Sequence, residues 1–117
     1  MESLNLVKEI VKVLDEKKAE NVKIIKISEL TVIADYFIIA SGTSSTHVRS
    51  LSEEVEETIS KIGAEPRNIE GRATGWILLD YSDVVVHIFT PEDREYYSLE
   101  RLWSDAAIMD ISEVLTD

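Results

Sequence analysis

The sequence predicts one domain of mixed α/β (α+β) class, with a sheet of about five strands, mixed in direction, and helices packed on it. Three observations predict this. Two stretches, 4–18 and 48–62, carry apolar residues at three- and four-residue spacing, the period of a helix with one buried face. Two β-branched runs, "NVKIIKIS" and "ADYFIIAS", have strand length and strand composition. "WILLDY" and "VVVHIF" are separated by only Ser82 and Asp83, the spacing of a hairpin. The 117 residues fit one domain, 44% of them hydrophobic and only four of them glycine, so a folded core is expected throughout.

The elements follow in order. Leu4, Val7, Val11 and Leu14, with Ile10 beside them, give the first helix its apolar stripe. Val22, Ile24, Ile25 and Ile27 mark the first strand. "ADYFIIAS" is apolar without alternation, as a strand covered on both faces would be. In the second helix Val48, Leu51, Val55, Ile59 and Ile62 face inward, while Glu53, Glu54, Glu56, Glu57 and Lys61 are solvated. Thr43, Ser44 and Ser45 offer capping oxygens before it, and Gly63 sits at its far end. "PRNIEGRATG" reads as loop with a short strand.

In the hairpin, pairing Tyr81 with Val84 sets Asp80 against Val85, Leu78 against His87 and Trp76 against Phe89. One face then holds Ile77, Leu79, Tyr81, Val84, Val86 and Ile88 and is the core side. The other holds Trp76, Leu78, Asp80, Val85, His87 and Phe89 and is a mixed aromatic and polar face. "TPED" opens the next helix, with Thr90 as cap and Pro91 in the first position. Ser98 caps a short one over Leu99–Trp103. "AAIMDISEVLTD" carries no pattern strong enough to assign.

Charge narrows the partners. The net charge is −11, and it is unevenly placed: residues 1–30 carry six acids and six bases, the rest seventeen acids against six bases. A phosphate backbone repels such a chain, so little direct nucleic-acid contact is expected. A basic protein is the complementary partner; the same charge also serves solubility alone. With no cysteine, disulfides and thiolate metal sites are excluded. The charged N-terminus is no secretory signal and no apolar run could span a membrane, so a soluble, cytoplasmic protein is expected.

Three candidate chemistries stand beside plainer readings. Asp80 and His87 are diagonal neighbours in the hairpin and could form a general-base pair, but no nucleophile is placed beside them. A structural hydrogen bond is the preferred reading. "SGTSS" could cradle a phosphate, yet it is also what a helix cap looks like and lacks a P-loop lysine. His47 and His87, forty residues apart, make no metal site. What stays unexplained is the density of Trp76, Tyr81, Tyr96, Tyr97 and Trp103 among Asp80, Asp83, Glu92 and Glu95. Packing claims some of these, Tyr81 among them. Trp and Tyr ringed by acids are the stuff of a protein-docking face.

"ADYFIIASGTSSTHVRSL", "GWILLDYSDVVVHIF" and "REYYSLERLWSDA" resemble, in order and spacing, the signature blocks of the Iojap family, the ribosomal silencing factors. The resemblance spans about 4–106. It implies a fold similar to a nucleotidyltransferase domain and a bacterial protein that binds the large ribosomal subunit on its fourteenth ribosomal protein. There it would obstruct joining of the small subunit, without catalysis and without a cofactor; members often crystallise as dimers. The matched strand is Trp76, Ile77, Leu78, Leu79, Asp80 and Tyr81, and the matched helix is Tyr97, Leu99, Glu100, Leu102 and Trp103. The partner-binding residues implied are Trp76, Leu78, Asp80 and Tyr81 with Tyr97, Leu102 and Trp103. The nucleotidyltransferase likeness implies an alternative, an enzyme with a nucleotide at Ser41–Ser45. The strand in "PRNIEG" lacks the carboxylate pair that its magnesium would need. The chain departs from the family at Ser82, where glycine is usual and a tight turn favours positive φ.

Overall fold

The computed structural model describes residues 2–71, 75–104, 106–109 and 111–115. Its elements are α1 (Ser3–Glu16), β1 (Glu20–Lys26), β2 (Tyr36–Ser41), α2 (Ser45–Lys61), β3 (Asn68–Glu70), β4 (Trp76–Asp80), β5 (Val84–Phe89), α3 (Pro91–Tyr97), α4 (Leu99–Leu102), β6 (Ala107–Met109) and α5 (Ile111–Val114). The sheet has six strands in the order β3-β4-β5-β2-β1-β6. Only β2 and β5 run parallel, and every other neighbouring pair is antiparallel. The mixed class holds. The sixth strand is the correction: Ala107–Met109 of the unassigned tail pairs with β1. Three residues are too few to show a period, and the long β1 edge, not local propensity, makes them extended. The part of "PRNIEGRATG" at 72–74 lies outside the described residues.

Each face of the sheet has its own apolar cluster. On one face α1 and α2 pack down with Val7, Ile10, Val11, Leu14, Val48, Leu51, Val55 and Ile59, all at most 1% exposed, onto Ile38, Ile77, Leu79, Val86 and Ile88. Two positions in the predicted stripes fall at the margin instead: Leu4 is 39% and Ile62 41% exposed, since each lies at a helix end. Ser44 caps α2 by accepting the His47 N–H, and Gly63 takes φ +95 just past its end. His47 also ties the loop to α1, with Nδ1 2.9 Å from the Thr43 N–H and Nε2 3.0 Å from the Lys17 carbonyl.

The hairpin forms in the predicted register, Trp76 opposite Phe89, Leu78 opposite His87 and Asp80 opposite Val85. Its second face is therefore the aromatic one. There Ile25, Ile27, Ala34, Ile39, Val85 and Phe89 are buried beneath Leu99 and Trp103 of the α4 corner. That corner turns at Ser98, held at φ +47 between α3 and α4. Ser98 does not cap α4 with its side chain; its hydroxyl donates back to the Glu95 carbonyl. Arg94 pins the corner to the sheet: it donates to Ser41 Oγ at 2.9 Å and grips both carboxylate oxygens of Glu100 at 3.0 and 3.1 Å. That fork holds the Glu100 carboxyl below its ordinary pKa, against the opposing pull of burial.

Candidate docking face

The second face is built by the alternation of β4. Ile77 and Leu79 point into the helix-covered core, so Trp76, Leu78 and Asp80 must point the other way. Each of the three is half-buried. Trp76 stacks on Phe89 at 5.0 Å and meets Tyr97, the last residue of α3, at 4.5 Å. Between α3 and the β3–β4 edge lies a pocket of about 430 Å³, lined by Glu70, Gly71, Trp76, Leu78, Asp93 and Tyr97. Its walls are aromatic and aliphatic, and among the described residues its charged groups, Glu70 and Asp93, are both acids.

Of the seven residues expected to bind a partner, Trp76, Leu78 and Tyr97 come together in this pocket. Leu102 stands 73% exposed on α4. Trp103 is half-buried on the same side, edge-on to Phe37 at 5.4 Å, and is largely packing. Asp80 is committed locally: one oxygen accepts the Ser82 N–H at 2.8 Å and the other pairs with Arg67 at 3.0 Å. Tyr81 needs correction. It is 8% exposed and belongs to the opposite, helix-covered cluster, because it is one residue out of phase with Asp80. Burial, with Glu56 and Glu65 nearby, pushes its hydroxyl pKa well up, so it is a neutral core residue.

The Asp80–His87 pair does not form. His87 instead accepts the Trp76 indole N–H on Nδ1 at 3.2 Å. Its ring is 4% exposed, lies edge-on to Phe37 at 4.8 Å, and among the described residues has no hydrogen-bond partner at Nε2. Accepting at Nδ1 requires the neutral tautomer protonated on Nε2, and burial pushes the pKa down to about 4. A buried histidine without a carboxylate is a poor base. The phosphate-cradle reading also loses two of its loop donors, Gly42 and Thr43. Gly42 N–H goes to the Phe89 carbonyl, Thr43 N–H to His47 and His47 N–H to Ser44. A Cβ on Gly42 would lie 2.9 Å from the Val48 nitrogen, so the loop is pressed onto α2. Among the described residues no three His, Asp or Glu side chains gather to hold a metal ion.

Sequence reasoning put Phe89 on the mixed face but named none of Phe37, Phe89, Glu70 and Asp93 as a partner-binding residue. The signal for Phe89 was present, since its register partner is Trp76. No signal in the sequence brought Asp93 of α3 and Glu70 of β3 to one pocket, because that depends on how the helix crosses the sheet.

The model of the family described as "Ribosomal silencing factor during starvation" matches residues 1–117. The chain belongs to the ribosomal silencing factor family. It is 35% identical over 117 residues to the ribosomal silencing factor RsfS of Halalkalibacterium halodurans, covering 99% of this chain and 100% of that one. It is 32% identical over 99 residues to the mouse protein named mitochondrial assembly of ribosomal large subunit protein 1, covering 81% of this chain and 43% of that one. A crystal structure of a Chromobacterium violaceum protein superposes with a TM-score of 0.86 at 31% identity, over 89% of this chain and 88% of that one.

Proposed function

We propose that this protein represses translation by docking, through the face around Trp76, Leu78 and Tyr97, on the fourteenth ribosomal protein of the large subunit. Bound there, it excludes the small subunit sterically and performs no chemistry. The observation that carries this is the aromatic pocket with an acidic rim, on a molecule whose charge keeps it off RNA and draws it to basic protein. Such a factor works in the cytoplasm of a bacterium. Among the described residues no helix is long and apolar enough to cross a membrane. The free protein is expected as a dimer, which sedimentation velocity reads.

The test is sedimentation of purified large and small subunits at associating magnesium, with and without the protein. Silencing requires that the protein travel with the large subunit and that joined particles decline. A second reading, favoured by the name of the mouse relative, is a role in assembling the large subunit. Binding to large subunits with joining unaffected would select that reading.

A further inference from the structure

We propose that the pocket lined by Trp76 and Tyr97 is a seat for one arginine side chain of the basic partner, with Glu70 and Asp93 as its counter-charges. This rests on the docking reading and names the chemistry of the contact. Glu70 lies on β3 opposite Leu78 of β4, and Asp93 lies in the first turn of α3, so the two carboxylates stand on different sides of the mouth. Glu70 accepts one hydrogen bond, from the Asn68 side-chain amide at 3.0 Å. Among the described residues neither acid is paired with a lysine or arginine. The floor is apolar: Trp76, Leu78 and the backbone of Gly71.

An apolar side chain entering this pocket would strip water from both carboxylates without replacing its hydrogen bonds, which is costly. A lysine ammonium would satisfy charge, but its compact, strongly hydrated head gains little from a flat indole. A guanidinium fits both demands. Its planar face lies on the aromatic wall, and its fork of donors reaches carboxylates on two sides. His87 contributes indirectly, by holding the indole at one orientation from beneath.

The test uses the full chain carrying Trp103→Phe, which leaves Trp76 as the sole tryptophan reporter. It is titrated with an arginine hexapeptide and a lysine hexapeptide, and the titrations are repeated with Glu70→Gln and Asp93→Asn added; circular dichroism verifies the fold of each variant. The expected result is a Trp76 emission change at clearly lower concentration for the arginine peptide, with a midpoint raised about tenfold or more by the double substitution. The same double substitution, with Trp103 intact, should weaken co-sedimentation with large subunits. A midpoint that the substitutions leave in place, or equal response to lysine, overturns the arginine seat even if the subunit still binds. If the peptide result holds while the unaltered protein fails to travel with large subunits, the docking reading falls. The arginine seat then belongs to another basic partner.

Discussion

The indole N–H of Trp76 donates to Nδ1 of His87 at 3.2 Å across the β4–β5 ladder, a diagonal two residues off the direct register. A buried, neutral imidazole thus fixes the edge of a half-exposed tryptophan that forms the wall of the pocket. The bond joins the second core to the proposed docking surface and limits the rotamers Trp76 can adopt, which would lower the ordering cost of binding a partner there.

Trp76→Ala should weaken binding to large subunits by more than about 2 kcal/mol, the scale of an interface hot spot. Quantitative co-sedimentation reads the loss, and unchanged affinity would place the interface elsewhere. Raising salt should weaken the unaltered protein's binding, since the acids steer and hold a basic surface.

His87 should make stability fall as pH drops. Its folded pKa of about 4 lies below the 6.5 expected of an unfolded histidine, so below pH 6.5 the unfolded chain takes up a proton that the native one refuses. Above that pH the group costs nothing; by pH 5 the loss is roughly 2 kcal/mol, and it levels off below pH 4. Urea denaturation at pH 7.5 and pH 5 should show a smaller drop for His87→Gln than for the unaltered protein. Equal drops would mean that His87 is already protonated or exposed.

Ser82 is the central residue of a three-residue turn, at φ +78, closed by the Asp83 N–H on the Tyr81 carbonyl at 3.0 Å. Asp80 Oδ1 supports it from below. Ser82→Gly should stabilise the domain by about 0.5–1 kcal/mol, the part of the left-handed strain that exceeds glycine's entropy cost. Ser82→Val should destabilise by about 1 kcal/mol or more. Thermal denaturation orders the three proteins, and Ser82→Gly below the parent would contradict the strain.

Arg94→Ala should cost about 2 kcal/mol, after allowing for solvent around Glu100, because it leaves Ser41 and Glu100 without their donor. It should also loosen the α3–α4 corner and so reduce large-subunit binding more than stability alone explains. Hydrogen exchange at Leu99–Leu102 measures that loosening, and unchanged protection there would remove the anchoring role.

The hairpin register was legible because a two-residue connection and a period of two leave a single arrangement with an apolar core side. From that register Asp80 and Trp76 are both diagonal to His87, on opposite sides of Leu78. The sequence does not choose between them. The choice falls to Trp76 because the Asp80 carboxylate is captured by the Ser82 N–H and by Arg67, partners created by the turn and by the chain entering β3. β6 was illegible for a related reason: "AIM" acquires its conformation from the β1 edge it meets. The pocket likewise arises where α3 crosses β3 and β4, and only Trp76, Leu78 and Tyr97 of its lining stood out beforehand, through the resemblance and the density of aromatics.

The central claim is that the Trp76–Tyr97 face meets the large subunit at its fourteenth ribosomal protein. The most direct measurement replaces Tyr97 with p-benzoylphenylalanine, a similar aromatic at a position 44% exposed, and irradiates the protein bound to large subunits. The account predicts one dominant cross-link, to the fourteenth ribosomal protein, lost when Trp76→Ala is added. Cross-links chiefly to ribosomal RNA or to another ribosomal protein would contradict it.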